Sequence, residues 1–71
     1  MRVPNVEYTV LTHRFGDGWD VFVLDPTQGL IGSTSAPTFS DVEHAARVLL
    51  GTHLGRPGPA RDVRLNVIQH R

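Results

Sequence analysis

Residues 38–50 read TFSDVEHAARVLL, and this stretch carries the most regular pattern in the chain. Apolar residues recur in it at spacings of three and four: Phe39, Val42, Ala46 and Leu49. This spacing lays an apolar stripe along a helix and leaves polar residues on the wet side: Ser40, Glu43, His44 and Arg47. Thr38, followed three residues later by Asp41, predicts a capping-box-like start. We therefore predict a helix over residues 38–50, which Gly51 or Gly55 can end in a left-handed conformation.

Three segments before the helix are rich in β-branched and aromatic residues and are predicted as strands: 5–14, 19–25 and 30–34. The first two are joined by residues 16–18, Gly-Asp-Gly, which favour the tight turn of a hairpin. Residues 25–29 end the second strand, because Pro26 has no backbone N–H and Gly29 permits a tight turn. Gly32 is a candidate position for a β-bulge in the third strand.

Residues 56–60 read RPGPA, which predicts a connection after the helix. Residues 62–69 then alternate cleanly between two faces, Val63, Leu65 and Val67 against Arg64, Asn66 and Ile68. A strand that follows a helix crossover is expected beside the first strand and parallel to it. The sequence therefore predicts a single α+β domain over residues 1–71 in the order β-β-β-α-β. The first three strands form an antiparallel meander, the helix packs on one face of this sheet, and the final strand is added to the sheet.

One helix can cover only one face of this sheet. The other face carries apolar side chains that meet water or a partner, among them Leu11, Phe22 and Ile68. Aromatic and arginine side chains are common anchors of protein interfaces. We predict an interface on the hairpin and the uncovered face, with four contact residues: Phe15, Trp19, Phe22 and Arg64. For Trp19 by itself, the sequence favours core packing over an interface role.

The chain has 71 residues and no cysteine, and seven arginines balance seven acidic residues. A domain this small buries only about 60% of the surface that its unfolded chain exposes. Without disulfides it is expected to gain stability by self-association, most simply as a dimer. A net charge near zero argues against broad attraction to nucleic acid or to an anionic membrane. No apolar run is long enough to span a bilayer and no signal peptide is visible, so a cytoplasmic location is expected.

Residues with catalytic or metal-binding potential are present, but they form no recognisable pattern. His44 and His53 lie nine residues apart, on opposite sides of a helix. Asp20 and Asp25 lie on one strand at an odd separation, so their side chains point to opposite faces. Residues 33–35, Ser-Thr-Ser, lack the Gly-x-Ser-x-Gly elbow of a serine nucleophile. We predict no enzyme activity, no metal and no cofactor; a small hydrolase that uses histidine or aspartate is the alternative.

The sequence resembles the N-terminal domain of the HicB antitoxins over residues 6–55, and the last strand also fits. The residues that carry the resemblance are 8–10 (YTV), 16–21 (GDGWDV), Gly29, Gly32, 38–42 (TFSDV), 45–47 (AAR) and 49–50 (LL). It departs from the family at residues 26–30, where PTQGL replaces a Leu-Pro-Gly-Cys corner. The resemblance implies a partial ribonuclease-H fold in the order β-β-β-α-β. It also implies a bacterial protein that neutralises the small RNA-cleaving toxin HicA by covering it.

These features predict a small non-catalytic binding protein, HicB-like and either solitary or of the antitoxin type. It self-associates and binds a protein partner, for which a HicA-like toxin is the candidate. The alternative is a regulatory accessory protein that binds nucleic acid through a local basic patch: Arg56, Arg61 and Arg64. The use of arginine without lysine fits such a patch, and it also fits the codon bias of a GC-rich genome.

Overall fold

The computed structural model describes residues 7–70 and contains four strands and one α-helix. The elements are β1 (Glu7–Phe15), β2 (Gly18–Asp25), β3 (Gly29–Ala36), α1 (Val42–His53) and β4 (Arg64–His70). The predicted α+β class and the order β-β-β-α-β are confirmed. Residues 5 and 6 of the predicted first strand lie outside the described residues. β3 is longer at both ends than predicted, and α1 is shifted three to four residues toward the C-terminus.

The four strands form one sheet in the order β3-β2-β1-β4. β2 pairs antiparallel with β1 and with β3, whereas β4 pairs parallel with β1. The parallel pairing follows from the chain path, since α1 and the connection after it return the chain to the end of the sheet where β1 begins. The helix packs over β2 and β3 and covers one sheet face.

The turn between β1 and β2 is a tight hairpin, as predicted, and its loop consists of two residues, Gly16 and Asp17. Phe15 pairs with Gly18, and Gly16 takes φ +59°, a left-handed conformation that glycine adopts without a Cβ clash. The irregularity in β3 falls one residue from its predicted position. Val23 pairs with Gly32 while Leu24 pairs with Leu30, so Ile31 is the extra residue of the bulge.

The start of the helix differs from the predicted capping box. Residues 39–41 form a 3₁₀ turn, and neither Thr38 nor Asp41 makes a side-chain hydrogen bond to a backbone N–H there. Instead the Thr38 hydroxyl donates to the Asp41 carboxylate (2.8 Å), so each side chain satisfies the other. At the other end Gly55 supplies the left-handed residue, with φ +73°. Hydrogen bonds from the N–H of Gly55 to Thr52 O and of Arg56 to Gly51 O complete a Schellman cap.

The core lies between α1 and the sheet. Its buried side chains come from three strands, the helix and the connection before β4: Tyr8, Val10, Val21, Val23, Ala36, Val42, Ala46, Leu50 and Ala60. On β1 the core residues alternate with exposed ones, as the strand period of two requires. Among the described residues, Thr12 is the one buried polar side chain, and its hydroxyl donates to Ile68 O at 3.1 Å. The hydrogen bond removes the cost of burying that hydroxyl and joins β1 to β4.

The connection between α1 and β4 is fixed to the helix by two residues. The Arg47 guanidinium donates to the carbonyl oxygens of Ala60 and Val63, both at 2.9 Å, and pairs with Glu43 at 3.0 Å. The Arg47 side chain is only 20% exposed, so the prediction that it lies on the solvent-facing side of the helix is wrong for most of this side chain. Gly51 is buried inside the helix, where the connection passes directly over its Cα.

Candidate interaction surface

The sheet face opposite α1 carries a row of apolar side chains across its centre. Leu11 pairs directly with Phe22 on one side and with Ile68 on the other. Directly paired residues of neighbouring strands point to the same face, so these three side chains lie side by side. Leu11 is 36% exposed and Ile68 43% exposed, and Phe22 is half-buried. The register therefore brings together the three residues that the sequence places on the uncovered face, which we call the open face.

Two leucines extend this apolar row toward the end of the sheet near the second turn. Leu24 pairs with Thr9, which shares the open face with Leu11, and Leu30 pairs with Leu24. Sequence reasoning missed both residues. Leu24 could have been placed from the sequence, because alternate residues of a strand point to the same face and Leu24 is two residues from Phe22. The position of Leu30 depends on the bulge at Ile31, which shifts every earlier residue of β3 to the opposite face.

Charged residues of both signs flank the apolar row on the open face. Glu7 pairs in register with Arg64 on one side of the row, and His13 pairs with Asp20 on the other. Glu7 and Asp20 contribute carboxylates and Arg64 a guanidinium, so the flanks of the row bring both signs of charge. An apolar centre inside a polar rim is the usual anatomy of a protein–protein interface.

The structure places three of the four predicted contact residues on the open face. Phe22 is in its central row, Phe15 is 71% exposed at the hairpin end, and Arg64 is exposed beside Glu7. Trp19 instead pairs with the buried Ala36 and packs against the core on the helix side. Its ring meets Phe39 edge-on, with centroids 5.1 Å apart and planes at 63°. Trp19 therefore packs in the core and is not part of the open face.

The three arginines of the predicted basic patch are divided between two surfaces. Arg56 and Arg61 line one shallow groove between the helix and the connection after it, together with His44. Arg64 lies on the open face, away from this groove, by its register with Glu7. Arg56 is also ion-paired with Asp62, and this partner raises the pKa of the guanidinium. Much of the positive charge in the groove is therefore already compensated.

The described residues hold no metal-binding cluster, and Asp25 has a structural role in a turn. Among residues 7–70, no three His, Asp or Glu side chains come close enough to hold a metal ion. Asp25, a candidate for general acid–base chemistry, is used by the second turn. Its carboxylate accepts hydrogen bonds from the Thr27 hydroxyl and N–H, both at 2.7 Å, and from the Gln28 N–H at 3.1 Å. These bonds, the Thr27 hydroxyl first, lower the pKa of Asp25 below its ordinary value of 3.8.

This lowered pKa predicts acid sensitivity of the fold. A carboxyl with a folded-state pKa below its unfolded value stabilises the fold fully above the unfolded pKa, and this contribution is lost as the pH falls through the folded pKa. We expect the melting temperature to fall on acidification below pH ~4, and less steeply in Asp25→Asn, which cannot ionise. Thermal unfolding followed by circular dichroism from pH 6 to pH 2 checks this, with Asp17→Asn in the hairpin turn as control. Equal slopes for wild type and Asp25→Asn would contradict it.

No helix in the described residues is both long and apolar enough to cross a membrane. The chain was also compared with known proteins. No protein-family model matches it, no curated protein matches it, and no solved structure matches it. The class that fold and surface define is thus a small α+β domain with one covered and one open sheet face, and the resemblance to HicB antitoxins stays a prediction.

Proposed function

We propose that the chain is a non-catalytic protein-binding module of the HicB-like antitoxin type, and that its open face receives a folded protein partner. The observation that carries the proposal is the row of Leu11, Phe22 and Ile68 across the middle of an uncovered sheet. Soluble domains seldom leave an apolar row of this kind at the centre of a sheet without a partner.

The composition of the open face favours a protein partner over a nucleic acid. Its centre is apolar, and its flanking pairs, Glu7 with Arg64 and Asp20 with His13, bring both signs of charge. A surface that binds a phosphate backbone needs a clear excess of lysine or arginine. A protein with an apolar patch and mixed charges around it matches the open face better.

The resemblance to HicB antitoxins names the partner class as a HicA-like RNA-cleaving toxin. An antitoxin of this type acts by occupying the toxin surface, and such inhibition requires complementary contact and no chemistry. Binding through the open face would leave the helix side of the domain in solvent.

The test is a titration of the chain with a catalytically inactivated HicA-like toxin from the same genome, followed by calorimetry. We expect saturable binding, and we expect Leu11→Asp to raise the dissociation constant about 30-fold, the effect of losing a central contact worth ~2 kcal/mol. Val48→Asp is the matched control, since Val48 is an exposed aliphatic residue on the helix side. Circular dichroism establishes that both variants fold.

Two results would overturn the proposal. One is the absence of toxin binding by the folded wild-type chain. The other is an equal loss of affinity in Leu11→Asp and Val48→Asp, which would place the contact elsewhere.

The nucleic-acid alternative predicts instead a salt-dependent titration with RNA that weakens in an Arg56→Gln/Arg61→Gln variant. Its support is the groove that these two arginines share.

A further inference from the structure

We propose that two copies of this chain pair through the outer edge of β4, antiparallel and around a two-fold axis at Val67. The sheet of one copy would then continue into the sheet of the other. The contact uses a strand edge, whereas the proposed partner site is a sheet face. The two inferences are therefore independent of each other.

The two edges of the sheet differ in how well they are protected. The β3 edge is interrupted by the bulge at Ile31, and β3 packs against α1 on one sheet face. β4 pairs with β1 over all seven of its residues without a bulge. Within residues 7–70, no strand lies on its outer side. A bulge is a common protection against strand addition, and the pairing of β4 has none.

The described side chains of β4 are exposed or, at Leu65, half-buried. None of those that the structure describes is fully buried. Val67 on the helix side is 37% exposed and Ile68 on the open face is 43% exposed. The strand contains no proline or lysine, the residues that most often keep an edge from pairing, and its described charge is confined to Arg64 at one end. An unblocked, partly apolar edge of this length is a template for another strand.

The orientation of the backbone selects the register of pairing. Thr12 on β1 donates its hydroxyl to Ile68 O, so this carbonyl faces β1. Since successive residues of a strand direct their N–H and C=O groups to opposite sides, those of the alternate residues face outward: Leu65, Val67 and Gln69. Val67 is the midpoint of Arg64–His70. Pairing around it opposes Val67 to the second copy's Val67 and Leu65 to its Gln69, with about six backbone hydrogen bonds, two for each of three pairs.

The surroundings of β4 favour a second copy as the occupant. A groove on the helix side of the strand is lined by Phe39, Ser40, Val42, Glu43, Val67 and Gln69. The two-fold pairing brings the second copy's Val67 and Leu65 beside the apolar part of this groove, and symmetry fills both grooves in the same way. The chain has a net charge of zero, so two copies approach without net repulsion. A cysteine-free domain of 71 residues gains stability from such an association.

Light scattering after gel filtration tests the pairing first. We expect wild type at twice the chain mass of 7.8 kDa at micromolar concentrations. Val67→Lys places two ammonium groups face to face at the axis, so its dissociation constant should rise about tenfold or more. Val48→Lys, at an exposed valine on α1, should leave the dimer unchanged. A monomeric wild type, or a dimer that tolerates Val67→Lys, would overturn the proposal.

A cross-link tests the register without relying on weakened association. Directly opposed residues of a hydrogen-bonded antiparallel pair have Cα atoms about 5.5 Å apart, within the range of a disulfide. The chain has no other cysteine, so Val67→Cys should oxidise to a covalent dimer, while Val48→Cys under the same dilute conditions should not. Equal cross-linking of the two variants would contradict the axis at Val67. Leu11→Asp should still dimerise, which separates failure of this proposal from failure of the partner site.

Discussion

Gly51→Ala is expected to lower the free energy of unfolding by about 1–3 kcal/mol. A Cβ at this position would lie 1.9 Å from Gly58 O and 2.9 Å from its carbonyl carbon. Alanine is favoured over glycine inside a helix by about 1 kcal/mol, so the clash has to outweigh a gain. It does so because the obstacle is backbone, and the connection can move away only by leaving Arg47 and exposing Ala60, which is buried in the core.

A loss of this size is severe for so small a domain. At about 0.05–0.15 kcal/mol per residue, the fold is worth roughly 4–10 kcal/mol in total. Chemical denaturation of purified Gly51→Ala measures the change. Gly58→Ala is the matched control, because a Cβ at Gly58 meets no atom within 4 Å. A Gly51→Ala protein as stable as wild type would show that the connection does not press against the helix at this point.

Arg47→Ala is expected to lower the free energy of unfolding by about 2–3 kcal/mol, the usual cost of losing charge-assisted hydrogen bonds to groups that stay shielded. The guanidinium donates to Ala60 O and Val63 O from the helix, and the alanine variant leaves both carbonyls without that donor. The bond of the Ala60 N–H to Arg47 O is made by the backbone and survives the substitution. The connection should therefore loosen at the side-chain contacts while its backbone contact to α1 remains.

Glu43→Ala separates the two kinds of contact that Arg47 makes. It removes only the exposed ion pair with Arg47, so the expected change is about 0.3–0.5 kcal/mol. Arg47→Lys keeps the charge, but its ammonium ends one bond short of Nη1, the nitrogen that donates to both carbonyls, so we expect it near Arg47→Ala. Thermal and denaturant unfolding of the three variants measure these differences. Similar losses in Glu43→Ala and Arg47→Ala would mean that the ion pair, and not the carbonyl bonds, anchors the connection.

Gly51 and Arg47 also matter for the proposed dimer. Both hold the connection that leads into β4, and β4 makes few contacts with the helix itself. Its position depends on β1 and on the end of this connection near Val63. Loosening the connection should therefore disturb the β4 edge before it disturbs the open face near Phe22.

The sequence by itself determined the class of the fold and most of the open face. Period-two alternation places Leu11, Phe22 and Ile68 away from the core, and the stripe through Val42 and Ala46 predicts a helix on the other face. These patterns are local: each depends on neighbours a few residues away, because strand and helix geometry repeat over two and 3.6 residues. The hairpin at Gly16 is readable for the same reason.

Only the tertiary structure decided the roles of Gly51, Arg47 and Trp19, and the positions of Leu30 and the β4 edge. Gly51 stands in the helix because residue 58 crosses it, and Arg47 is partly buried because residues 60 and 63 accept its hydrogen bonds. Such contacts join residues that are between seven and sixteen positions apart in the sequence, through a connection that has no periodic pattern. No local sequence pattern therefore predicts them. A single extra residue in β3 likewise reverses the faces on one side of it. The physical reason is that packing and backbone hydrogen bonding across the fold act on residues that the sequence keeps apart.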